Sequence, residues 1–120
     1  MLKVLLVEDN ARLRAAMKAG LEGLGKVKIT HDCDTGEAAL VFCLGNLPDV
    51  ILMDVQLAGN MNGIEAAMQI RRFLPSCKIL LFSGQAATAD LLESARAQGH
   101  EFEILAKPVH PQDLLAKLRE

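Results

Sequence analysis

No apolar run in this chain comes near the roughly 20 residues that a helix needs to cross a bilayer, so no membrane span is expected in its 120 residues. A basic, apolar leader is missing too. Leu2-Lys3-Val4-Leu5-Leu6-Val7 runs at once into Glu8-Asp9, which points to a cytoplasmic protein. Cysteine is scarce: Cys33, Cys43 and Cys77 are odd in number and without CxxC spacing. That argues against a disulfide framework or a zinc site and predicts buried, reduced, inert thiols. Positive charge is thin as well. The formal net charge is -2 and no basic cluster exceeds Arg71-Arg72, so the chain alone is not expected to bind nucleic acid. Internal linkers and low-complexity tracts are lacking, which leaves residues 1–120 as a single domain, long enough to bury one core without staples.

What is present is hydrophobic patterning of two kinds. Short apolar runs recur at Leu2 to Val7, Val27 to Thr30, Val50 to Met53, Ile79 to Phe82 and Phe102 to Ala106, and most lack the alternation of a half-exposed strand. They predict strands buried on both faces. Between them lie segments of helical period, the first carrying Leu13, Ala16, Met17, Gly20, Leu21 and Leu24 on one face. Asp34 with Glu37, and Asn62 with Glu65, have capping-box spacing and predict the starts of a second and third helix, the third ending by Pro75. A fourth helix starts at Thr88, turns Leu91, Leu92 and Ala95 inward and stops near Gly99, while a fifth starts at Pro111 and buries Leu114, Leu115 and Leu118. Strand and helix thus alternate five times, the pattern of an α/β protein with a parallel sheet covered on both faces.

Ligands in open sheets of this kind gather at the carboxyl ends of the strands. Glu8 and Asp9 follow the first strand there, Asp54 the third, Ser83-Gly84 the fourth and Lys107-Pro108 the fifth. Three carboxylates converging on one crevice repel by roughly 1 to 4 kcal/mol per close pair. They call for a cation. Mg²⁺ suits carboxylate, carbonyl and water oxygens and often bridges to phosphate. Adding a hydroxyl and an ammonium makes equipment for phosphoryl transfer, with the Asp54 carboxylate as the nucleophile. His31, His100 and His110 show no ligand spacing and are assigned no chemistry.

Val7-Glu8-Asp9-Asn10, Val50 through Asp54, Asn62-Gly63-Ile64-Glu65, Ser83-Gly84 and Lys107-Pro108 together resemble a response-regulator receiver domain of two-component signalling, over nearly the whole chain. The resemblance implies a flavodoxin-like (βα)5 doubly wound parallel sheet of five strands in the order 2-1-3-4-5. It further implies that Asp54 takes a phosphoryl group from a histidine kinase or phosphotransfer protein, with Asp9 and Asp54 ligating Mg²⁺, Glu8 acting on the ion through water and the Gln56 backbone carbonyl completing the set. Ser83 would hydrogen-bond the phosphoryl oxygens and draw the loop Gly84-Gln85-Ala86 with it. Lys107 would pair with the phosphoryl group, and a cis bond to Pro108 would aim it inward. Such a domain is a signalling phosphoacceptor whose only catalysis is its own phosphoryl transfer and dephosphorylation. Its output would be altered contact with a downstream protein effector or output domain.

Two departures from the family stand out. The switch position three residues before Lys107, often aromatic in the family, is Ile104, and the loop Leu57 to Gly63 lacks the common Met-Pro pair and is one residue longer. Ile104 leaves room for an alternative, a receiver that no longer cycles phosphate and serves only as a docking module. A haloacid-dehalogenase-type phosphatase is disfavoured because Gln56 stands where a second acid is needed, and a flavodoxin-like FMN binder because Glu8-Asp9 would repel the phosphate.

Overall fold

The computed structural model describes residues 1–84 and 88–118. Strands β1 (Leu2–Val7), β2 (Val27–Cys33), β3 (Val50–Asp54), β4 (Lys78–Ser83) and β5 (Glu103–Ala106) alternate with helices α1 (Ala11–Gly23), α2 (Gly36–Gly45), α3 (Gly63–Phe73), α4 (Thr88–Ala97) and α5 (Pro111–Leu118). All neighbouring strands pair in parallel, in the order β2-β1-β3-β4-β5. The alternating pattern predicts the parallel sheet between helices, and the family resemblance its flavodoxin-like order; both hold.

Side chains alternate across a strand, so the sheet divides its apolar residues between two layers. Leu5, Val7, Ile51, Met53 and Leu81 face α2, α3 and α4, whereas Val4, Leu6, Leu52, Leu80 and Phe82 face α1 and α5. Within the inner strands, Val4 to Val7 of β1, Val50 to Met53 of β3 and Ile79 to Phe82 of β4 therefore read as unbroken, fully buried apolar runs. The edge strands do not share that burial. In β2, Val27 and Ile29 are buried but Lys28 and Thr30 are exposed, and in β5 only Ile104 and Leu105 are even half-buried. Burial on both faces thus holds for three strands and fails at the edges, where a neighbour is missing on one side.

The helix ends follow local chemistry with one exception. At α3 the Asn62 side chain accepts from the Glu65 N–H at 2.9 Å while the Glu65 carboxylate accepts from the Asn62 N–H at 3.1 Å, so the capping box is complete. At α2 the cap is Thr35, not Asp34: its hydroxyl accepts from the Ala38 N–H at 3.0 Å. Thr35 is extended, as an N-cap residue ordinarily is, and also forms an isolated bridge to Ala58. Helix α4 closes as predicted, with Gly99 at φ 87° and the N–H groups of Gly99 and His100 returning to the carbonyls of Arg96 and Ala95. In α1, Met17 and Leu21 are buried, but Ala16 is exposed because it lies about 100° round the helix from Met17. In α5, Leu114 and Leu118 are buried and Leu115 only half-buried.

Cys43 and Cys77 are buried and Cys33 half-buried, all three free. Burial pushes the Cys33 and Cys77 thiols up to about 11 and raises Cys43 as well, which keeps them unreactive. Among the described residues, no helix is long and apolar enough to cross a membrane.

One glycine fixes the height of α3 against the sheet. A Cβ at Gly63 would collide with the backbone carbonyl of Asp54, and the Gly63 N–H donates to the Val55 carbonyl at 2.9 Å. Backbone cannot yield as a flexible side chain does. Gly63→Ala is expected to lower the unfolding free energy by about 1 to 3 kcal/mol, read from chemical denaturation. An unchanged midpoint would show that α3 can ride outward without cost.

Candidate functional site

Parallel register brings the site together. Val7 of β1 stands opposite Met53 of β3, so the next residues, Glu8 and Asp54, emerge side by side at the carboxyl edge of the sheet. On the other flank Asp54 pairs with Phe82 and Ser83 with Ala106, which delivers Ser83 and then Lys107 to the same edge. The Lys107 N–H donates to the Ser83 carbonyl at 3.0 Å, and the Lys107-Pro108 peptide is cis. Together these elements line a cleft of about 400 Å³ bounded by Glu8, Asp9, Asn10, Leu13, Asp54, Gln56, Gly84 and Lys107.

Burial separates the acids that sequence alone leaves equivalent. Glu8 and Asp54 are 1% and 2% exposed, whereas Asp9 is exposed. One carboxylate oxygen from each of the three lies within 4.8 Å of the others. The Lys107 ammonium sits 2.7 Å from Asp54 Oδ2 and 3.6 Å from Glu8 Oε1, and the Gln56 N–H donates to Asp54 Oδ1 at 3.1 Å. Glu8 Oε2 is buried with no hydrogen-bond partner among the described residues. One ammonium against three carboxylates leaves the cleft strongly negative when all are ionised.

The protonation equilibria register that imbalance. Burial, followed by the adjacent Asp54 carboxyl, pushes Glu8 up to about 8, although the Lys107 charge works in the opposite sense. Burial alone would lower the Lys107 ammonium. The hydrogen bond and charge of Asp54, together with Glu8, outweigh it and hold Lys107 above the ordinary lysine value. An unpartnered buried oxygen beside two further carboxylates is the setting in which a hard divalent ion is bound, so the donor set fits Mg²⁺.

Ser83 is 6% exposed at the end of β4. Ile104, in register with Leu81, is half-buried and packs on the α4 side of the sheet together with Leu91, Leu92 and Phe102. Gln85 and Ala86, in the loop expected to follow Ser83, lie outside the described residues. A contributor with no sequence signal is Arg14, whose Nη1 donates to the Glu8 carbonyl at 2.6 Å while its Nε donates to Asp32 Oδ1 at 3.2 Å. An arginine in the first turns of a helix is too common for spacing to single it out.

The model of the response regulator receiver domain family matches residues 4–119. The response regulator UvrY of Escherichia coli is 31% identical over 119 residues, which cover 99% of this chain and 53% of UvrY. The chain therefore spans about half the length of that relative. The chemotaxis protein CheY of Thermotoga maritima is 27% identical over 118 residues, 98% of this chain and 95% of CheY. Among solved structures, the signal receiver domain of NarL from Mycobacterium tuberculosis superposes with a TM-score of 0.82 at 26% identity, covering 98% of this chain and 96% of that one. The match across the chain, the 2-1-3-4-5 sheet and the acidic cleft at its carboxyl edge agree on one conclusion: the chain belongs to the response regulator receiver family, whose domains are signalling domains.

Proposed function

We propose that residues 1–120 act as one cytoplasmic receiver unit in which Asp54 accepts a phosphoryl group from the phosphohistidine of a histidine kinase or phosphotransfer protein. The observation that carries this reading is the cluster itself: Glu8, Asp9 and Asp54 within 4.8 Å, answered by the single ammonium of Lys107. Glu8, Asp9, Asp54 and the backbone carbonyl of Gln56 would hold Mg²⁺. When bound, the ion supplies charge neutralisation for the transferring group.

The chain's own residues do the rest. The Asp54 carboxylate attacks phosphorus, an O–P bond forms, and the P–N bond breaks with its electron pair left on the donor imidazole. The Gln56 N–H holds Oδ1 and so fixes the carboxylate plane during the attack. Lys107, already 2.7 Å from Oδ2, pairs with the incoming negative charge. The Ser83 hydroxyl donates to a phosphoryl oxygen. An apolar cleft of about 380 Å³ lined by Leu13, Met17, Phe82, Pro108 and Val109 shares Leu13 and Lys107 with the acidic cleft, which supports seating of the donor protein beside the site.

Output would run through altered contacts with a downstream effector or output domain. Ile104 is branched at Cβ and stiff at its first torsion, so displacement of Ser83 and α4 replaces ring rotation as the signal. The test is mass spectrometry of the chain with acetyl phosphate. Addition of one phosphoryl group in Mg²⁺ but not in chelator is expected, and no addition under either condition would overturn the reading.

A further inference from the structure

We propose that Arg14 is a positioning residue for the metal ligands Glu8 and Asp9, acting through the peptide group that joins them. The inference rests on the Mg²⁺ reading above. Glu8 and Asp9 share one peptide plane: the Glu8 carbonyl lies on one side of it and the Asp9 N–H on the other. Arg14 Nη1 donates to that carbonyl at 2.6 Å, a short, charge-assisted contact.

The guanidinium is itself held. Its Nε donates to Asp32 Oδ1 at 3.2 Å, and Lys18 lies 3.6 Å from Asp32 Oδ2. On the strand side, the Glu8 N–H donates to the Cys33 carbonyl at 3.0 Å. Glu8 is thus gripped at both backbone groups, the N–H by β2 directly and the carbonyl by an arginine anchored on β2. Asp9 is exposed, so its direction depends on the backbone that carries it. Rotation of the peptide plane would swing the Asp9 carboxylate away from Glu8 and Asp54.

The fork of arginine suits this task and the ammonium of lysine does not, because two donors in fixed geometry must reach a carbonyl and a carboxylate at once. A competing role is electrostatic. A cation close to the cleft repels Mg²⁺, so removing its charge would tighten binding rather than weaken it. The two roles predict opposite signs.

The experiment is a Mg²⁺ titration followed by calorimetry and by the amide NMR shifts of Asp9 and Asn10, on wild type, Arg14→Lys, Arg14→Gln and Asp32→Asn, with metal-free melting measured in parallel. Positioning predicts that both Arg14 variants lose about 10-fold or more in affinity, as for other groups that orient metal ligands, that Asp32→Asn loses less, and that the Asp9 amide shifts before metal is added. Wild-type affinity in Arg14→Lys with tighter binding in Arg14→Gln would overturn positioning in favour of charge. Lower melting temperature with unchanged affinity would overturn it in favour of a structural role. Failure of the wild type to bind Mg²⁺ would overturn the metal reading itself and this inference with it.

Discussion

Asp54→Asn is expected to reduce phosphoryl uptake from acetyl phosphate to background while leaving the fold intact. The amide matches the carboxylate in shape, so its oxygen can still accept the Gln56 N–H that Oδ1 accepts at 3.1 Å. What it loses is the proposed nucleophile. An amide oxygen carries no formal charge and forms no acyl phosphate. Two electrostatic changes oppose each other in stability: Lys107 loses its partner at 2.7 Å, and Glu8 loses the repulsion of a neighbouring carboxylate. The net change should therefore be small, and denaturation midpoints check it. Asp54 is 2% exposed and lies 2.7 Å from the Lys107 ammonium, so the label is expected on the peptide that carries it. Undiminished labelling of the variant, located by peptide mass mapping, would mean another acceptor.

Mg²⁺ affinity is expected to climb with pH, at up to about tenfold per unit, and to level off above about 8. Glu8 starts from an ordinary 4.5 and is raised in the folded chain, first by burial and then by Asp54. Below about 8 the metal-free fold holds a proton on Glu8 that the ion must displace. The same shift ties pH to stability. A carboxyl with a raised folded value contributes stability that is full below the unfolded value and is lost as pH rises through the folded one, at most about 1.4 kcal/mol per unit. The metal-free chain should therefore weaken between about 4.5 and about 8, and Mg²⁺ should restore it most at the alkaline end. Glu8→Gln removes the titrating group, flattening both profiles and lowering affinity at high pH. A pH-independent affinity in wild type would sink the assignment of the displaced proton to Glu8.

Much of this protein was legible along the chain. The order and kind of the elements follow from short apolar runs alternating with helical period, because only a parallel sheet under two helical layers buries both. That topology puts every strand's carboxyl end on one edge, where the acids after β1, the acid that ends β3 and the lysine after β5 line one cleft. The Asn62–Glu65 cap was equally local, since both partners lie within one turn.

Other features were decided by contacts between distant segments. The edge strands are half-exposed because the order β2-β1-β3-β4-β5 leaves them one neighbour each, which no composition encodes. Glu8 and Asp9 are adjacent acids with the same local chemistry, yet one is buried with an oxygen unpartnered among the described residues and the other faces solvent. The strand direction of β1 and the register against Met53 make that choice. Arg14 reaches Glu8 and Asp32 only because α1 folds back across β1 and β2. Periodicity reports which residues face a core, whereas the partner that each polar group finds depends on where the other elements are placed in three dimensions.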